Sequence, residues 1–274
     1  MISKDAIQHL QDSANFDLVF KELSKLKSGH AHLVVPEGFQ VKDFEAFMEC
    51  RSSYRASFKT NSVSDFINYV VGFDSDGSRC FIDSADMEAN AVFDIGTVEQ
   101  PGHQRNKASI KLDKTSAYTT LLRYSGERLS QKDFSDWLED WADHISVINT
   151  ADEEVEAKAA ARAVRNVKVE SLNSQNSEVG DYSHNMSELE KMNVSSSDPL
   201  PSLIQFTCHP YADLEERAFV LRVSVMTGEK QPRFNMRIMR LETAKEEMVQ
   251  EFKDKLTGLM KDNNCKTELF IGSI

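Results

Sequence analysis

No two cysteines in this chain are spaced as CxxC. Cys50, Cys80, Cys208 and Cys265 stand far apart. That argues against a zinc or redox motif and fits free thiols in a reducing cytosol. No stretch approaches the roughly 18 apolar residues of a membrane-spanning helix. The opening MISKDAIQHLQDS lacks the apolar run of a secretory signal. Basic residues are in the minority, with 32 Lys and Arg against 44 Asp and Glu and a net charge of −12. Broad nonspecific attraction to nucleic acid or membrane is therefore not expected, although a local basic patch is compatible. The nucleotide loops GxxxxGK[ST] and GxGxxG are absent, as are GxSxG, HExxH and HxE…PCxxC. Cys208 and His209 are neighbours, and strand neighbours point to opposite faces, so they make a poor nucleophile–base pair. The residues nominate no catalytic, cofactor-binding or metal site. The expectation is a soluble, cytoplasmic protein without a cofactor, leaning away from an enzyme.

What the chain does have is one strongly patterned stretch, Gly126–Ile148, which holds both tryptophans. Phe134, Trp137, Leu138, Trp141, Ala142, Ile145 and Ile148 recur at helical spacing. Ser130 and Asp133 stand in capping-box positions. The spacing predicts a helix over 130–148 with Phe134, Trp137, Leu138, Trp141 and Ile145 as a structural core. Its other side carries Asp136, Glu139, Asp140 and Asp143, with His144 beside them. Such carboxylates can converge on Mg²⁺ or Mn²⁺. The solvated back of an amphipathic helix accounts for them better, because no further ligands stand at a readable spacing.

Before this stretch, apolar spacing predicts a helix over 4–27, a short strand at Leu33–Val35 and a helix over 39–54. His30 and His32 share a face if the strand starts early, but a third metal ligand is not in view. In Phe66–Phe73 the later half reads as strand from its β-branched and aromatic content. The DSDG at 74–77 departs from the calcium-loop pattern and reads as a hairpin turn. Strands are expected at 91–95 and 108–112 around a turn at 100–103, while 118–124 fits either strand or helix. Residues 151–163 suit a helix and 164–170 a strand. From 171 to 202 Ser and Asn dominate, which reads as a long connection or a poorly patterned hairpin around Gly180-Asp181.

The last third is sharper. Leu203–His209 is a strand. Phe219, Leu221, Val223 and Val225 alternate with polar positions, as do Phe234, Met236 and Ile238 across the turn TGEK, which predicts an antiparallel hairpin. A capping box at Thr243–Glu246 starts a helix to about 262, and 267–271 returns as a short strand. Six basic residues (Arg217, Arg222, Lys230, Arg233, Arg237, Arg240) stand here against one acid, Glu229. Arg222, Arg233 and Arg237 fall opposite the apolar face and form a possible anion or nucleic-acid face. A solvated sheet face met by acids from elsewhere, including an adjoining subunit, is preferred. The fold class is α+β: antiparallel hairpins packed against several amphipathic helices. Its organisation is an N-terminal α+β region over 1–170, a connection over 171–202, and a C-terminal hairpin and helix over 203–274.

The blocks LVVPEGF, SDFINYV and LSQKDFSDWLED, with the hairpin FVLRVSVMTGEKQPRFNMRIMRL, together resemble the YfdQ-like family of phage and prophage proteins. The resemblance covers most of the chain and brings no catalytic residue with it. It implies a phage or prophage gene expressed in a bacterial cytoplasm. The leading expectation is a non-enzymatic accessory protein that self-assembles as a homo-oligomer or binds a host or phage protein. Its rivals are a single-strand-binding accessory of phage recombination or replication and a metal-dependent phosphoesterase built on the acidic helix.

Overall fold

Burial recurs at every second residue in the strands and every third or fourth in the helices. The computed structural model describes residues 53–167, 199–226 and 232–274, together with Lys4, Lys21 and 49–51. The chain divides into two compact units between Tyr54 and Arg55. In the first, Lys4 and Lys21 are helical. The rest of the helix expected at 4–27, the strand at 33–35 with His30 and His32, most of the helix at 39–54 and nearly all of 171–202 lie outside the described residues.

The second unit contains two sheets and five helices among the described residues. The mixed sheet comprises β1 (Ala56–Thr60), β2 (Arg79–Asp83), β3 (Glu88–Val92), β4 (Asn106–Lys111) and β11 (Glu268–Ile271), in the order β1-β4-β3-β2-β11. Its inner neighbours are antiparallel, and both edges are parallel to their partners. α1 (Val63–Phe73) packs on β4 and against α5 (Leu241–Asp262). Phe66–Phe73 is thus helical throughout, not strand in its later half. Val63, Phe66, Ile67 and Val70 are buried at helical spacing, and Ser62 accepts the Asp65 N–H as N-cap. Tertiary burial overrides β propensity here. DSDG then links helix to strand, so the turn is real but joins no hairpin.

The antiparallel sheet is built from β5 (Leu129–Ser130), β6 (Ile145–Asn149), β7 (Glu154–Val155), β8 (Pro201–Cys208), β9 (Arg217–Met226) and β10 (Arg233–Ile238). Their order is β5-β10-β9-β8-β6-β7, so strands from both sides of the Ser/Asn-rich segment share one sheet. Its inner face meets α2 (Ser116–Tyr124) through Tyr118 on Phe219, and α3 (Gln131–Asp140) through Phe134 on Phe234 and Trp137 on Phe206. α4 (Ala157–Asn166) packs on α3, and Gln131 Nε2 donates to the carbonyls of Val164 and Val167 at its end. Val164 therefore belongs to this helix and begins no strand. Buried residues of both sheets and all five helices join in one apolar cluster.

The tryptophan helix is shorter than its periodicity implies. Ser130 accepts the Asp133 N–H as N-cap and donates to the Asp133 carboxylate. The helix ends at Asp140, a short turn covers Ala142–His144, and Ile145 and Ile148 lie in β6. The run Ile-Ser-Val-Ile is β-branched and finds a partner in β8, which outweighs the helical spacing of its isoleucines. Phe134, Trp137 and Leu138 are buried, whereas Trp141 and Ile145 are half-buried at the rim of the core. α5 also starts early: Arg240, with φ of 53°, is its N-cap, and Thr243 lies inside the helix.

Candidate interaction face

Alternation along β9 and β10 turns Phe219, Leu221, Val223, Phe234, Met236 and Ile238 into the core. The intervening residues therefore line the outer face of the antiparallel sheet. There Arg222 and Arg237 stand directly opposite each other. Both are exposed, and neither has an ion-pair partner among the described residues. Like charges in cross-strand register repel by a few tenths of a kcal/mol, roughly 0.2–1. Leu203 of β8 flanks Arg222 on its other side, and Val220 lies outward beside them. Arg233 sits at the far end of the hairpin, opposite Met226 and Ser130, and is half-buried. The structure thus pairs Arg222 with Arg237 and sets Arg233 apart by four positions along β10. None of the outward residues of β8, β9 or β10 is aromatic.

The other basic residues of this region go elsewhere. Arg217 turns away from the outer face and donates to Glu247 and Glu251 of α5, each at 2.7 Å. Burial works to lower its pKa, but the two carboxylates raise it on balance. Arg240 occupies the left-handed cap of α5, and Lys230 lies outside the described residues.

The acidic side of α3 faces α4 as well as water. Arg165 binds Glu139 through both guanidinium ends at 2.7 Å and reaches Asp136 at 3.3 Å. Lys132 adds a second cation on Asp136. The Lys132 hydrogen bond, with Arg165 behind it, holds the Asp136 carboxyl below its usual range, and Arg165 does the same for Glu139. His144 Nδ1 lies 3.0 Å from the Thr207 carbonyl, and its ring stacks on Phe206. No group of three or more His, Cys, Asp or Glu among the described residues is placed to hold a metal ion.

Asp74 has a role that local sequence does not reveal. It accepts hydrogen bonds from the Lys266 and Thr267 amides and from Thr267 Oγ1, at 2.8, 2.9 and 2.6 Å. Asp76 binds Lys266 Nζ at 2.7 Å. The DSDG acids therefore fasten the entry to β11. Burial raises the thiol of Cys80 to about 12 and that of Cys208 to about 11, so neither supplies a thiolate at neutral pH.

No helix among the described residues is long and apolar enough to cross a membrane. No curated protein and no solved structure matches the chain. The match that does place it runs over residues 4–274, and by it the chain belongs to the DUF2303 family of uncharacterized conserved proteins.

Proposed function

We propose that this is a phage or prophage accessory protein of the bacterial cytoplasm that acts by binding, through self-assembly or a protein partner, rather than by catalysis. The provenance rests on the resemblance carried by LVVPEGF, SDFINYV, LSQKDFSDWLED and the C-terminal hairpin. The working surface is the outer face of the antiparallel sheet.

One observation carries the reading. Arg222 and Arg237 face each other without a counter-charge among the described residues. An incoming carboxylate relieves that repulsion and is bound by two guanidinium forks at once. The chain is itself acidic, at −12, so a second copy carries many acids able to fill the role. Asp140 and Asp143 are exposed examples. Leu203 and Val220 beside the arginines supply apolar area for such a contact.

Single-stranded nucleic acid is less well served, because sequence-tolerant binding relies on aromatic platforms and the outward strand residues offer none. Light scattering at micromolar concentration and physiological salt tests the assembly reading. A multimer whose mass falls on Arg222→Glu with Arg237→Glu supports it. A monomeric wild type that also captures no acidic protein partner refutes it.

A further inference from the structure

β11 ends the mixed sheet, and nothing among the described residues pairs with its outer edge. The Gly272 N–H donates to the Ile82 carbonyl at 2.8 Å. Alternation therefore turns the N–H and C=O groups of Leu269 and Ile271 to the open side. Beside that edge, α5 and β11 enclose a groove of about 470 Å³, with Met260, Cys265 and Leu269 among its apolar lining. Phe270 and Ile271 are about half exposed, at 43% and 48%. An apolar edge of this kind is usually blunted or covered.

The groove is rimmed by Lys253 and Lys261 of α5. Neither has an acid partner among the described residues, in a chain with twelve more acids than bases (44 against 32). They stand eight positions apart on the helix, a rise of roughly 12 Å. Two same-face residues of an extended strand, four positions apart, span about 13 Å. The spacing and the charge select the same occupant.

We propose that β11 is a strand-addition site for an extended segment of a partner protein with acidic residues at positions i and i+4 and an apolar residue midway. The segment pairs with the outward groups of Leu269 and Ile271. Its central side chain enters the groove, and its carboxylates meet Lys253 and Lys261. The site stands on the opposite sheet from the arginine face and does not depend on it.

The probe is the labelled peptide Glu-Val-Ile-Val-Glu, acetylated and amidated, titrated into the full chain by fluorescence anisotropy, with Lys-Val-Ile-Val-Lys as its counterpart. The acidic peptide is expected to bind at least about tenfold more tightly. Ile271→Pro removes an N–H that faces solvent, which an edge strand tolerates, and should weaken binding about tenfold. Lys253→Glu with Lys261→Glu reverses the charge at the groove's rim, at one half-buried and one exposed position, and should invert the preference between the peptides. Arg222→Glu with Arg237→Glu should leave binding unchanged, separating this site from the arginine face. Absence of binding, or equal binding of both peptides, overturns the proposal. So does a fall in particle mass on Ile271→Pro, which would put a second copy of the chain on the edge instead.

Discussion

The antiparallel and mixed sheets wrap the same core, yet they are specified differently. Along β9 from Phe219 onward, and along β10, the inward residues are apolar and their neighbours face outward. All pairings in that sheet are antiparallel, and β9 and β10 adjoin in sequence. Register follows from pattern, because a slip of one residue would put every apolar side chain on the wrong face. In the mixed sheet, β11 lies parallel to β2 although the two are far apart in the chain. What fixes it is a few polar contacts, chiefly Asp74 to Thr267 across 193 positions. Local pairing is written as periodicity, and distant parallel pairing depends on individual hydrogen-bonding groups.

The largest expected effect lies in the apolar packing. Trp137 is buried among Phe134 and Phe206, so Trp137→Ala should cost about 3–5 kcal/mol. Trp141 caps the same helix and is only half-buried, so Trp141→Ala should cost roughly half as much, since less surface leaves water-free packing. Denaturant melts of the two variants decide it. Equal losses would mean that the rim contributes as much as the centre.

The polar clamp comes next. Asp74→Ala removes three hydrogen bonds to residues 266 and 267 and leaves their donors unpaired. We expect a loss of about 1–3 kcal/mol, with amide exchange accelerating in β11 and little change in β9 and β10. Uniform acceleration in both sheets would break the distinction drawn between them.

These two sites also show what was legible from sequence. The β9–β10 hairpin follows from alternation, β8 and β11 fall on the short strands expected at 203–209 and 267–271, and the Ser130 cap follows from its residue type. α1 was obscured because Tyr69, Val70 and Val71 favour strand by composition, while its buried set obeys helical spacing. The end of α3 was obscured for the opposite reason: Ile145 and Ile148 keep helical spacing but sit on a β-branched run. Arg222 and Arg237 were assignable to one face. Their direct opposition required the register of β9 on β10. Asp74 looked like a turn residue because its partners lie near the other end of the chain.

A smaller effect is expected on the acidic side of α3. Asp136 is held low by Lys132 and Arg165, and Glu139 by Arg165. A carboxylate with a depressed folded pKa contributes stability that is present above its unfolded value, near 4, and lost as pH falls through the folded value. Arg165→Ala should therefore lower the melting temperature slightly at neutral pH, and the gap from wild type should close in acid. A gap that stays constant from neutral pH to below about pH 3 would assign Arg165 a packing role through its stem instead.

The smallest stability effect should come from Arg237. Truncating it removes a like-charge neighbour of Arg222, so Arg237→Ala should leave the unfolding free energy unchanged or raise it by a few tenths of a kcal/mol, at most ~1. The same variant should lower the assembly mass measured by light scattering, because one of the two forks available to a partner carboxylate is gone. That combination, a neutral fold with altered association, distinguishes an interaction surface from a merely solvated one. A labelled oligonucleotide provides the opposing test. If the face bound single strands through Arg222, Arg233 and Arg237, the log–log salt slope would be roughly −2, at about 0.7 per phosphate contact, and Arg237→Ala would flatten it by about 0.7. We expect no binding in the micromolar range at physiological salt, since the outward residues provide charge without a stacking surface. Micromolar binding that disappears with Arg237 would replace the protein-partner reading with a nucleic-acid one.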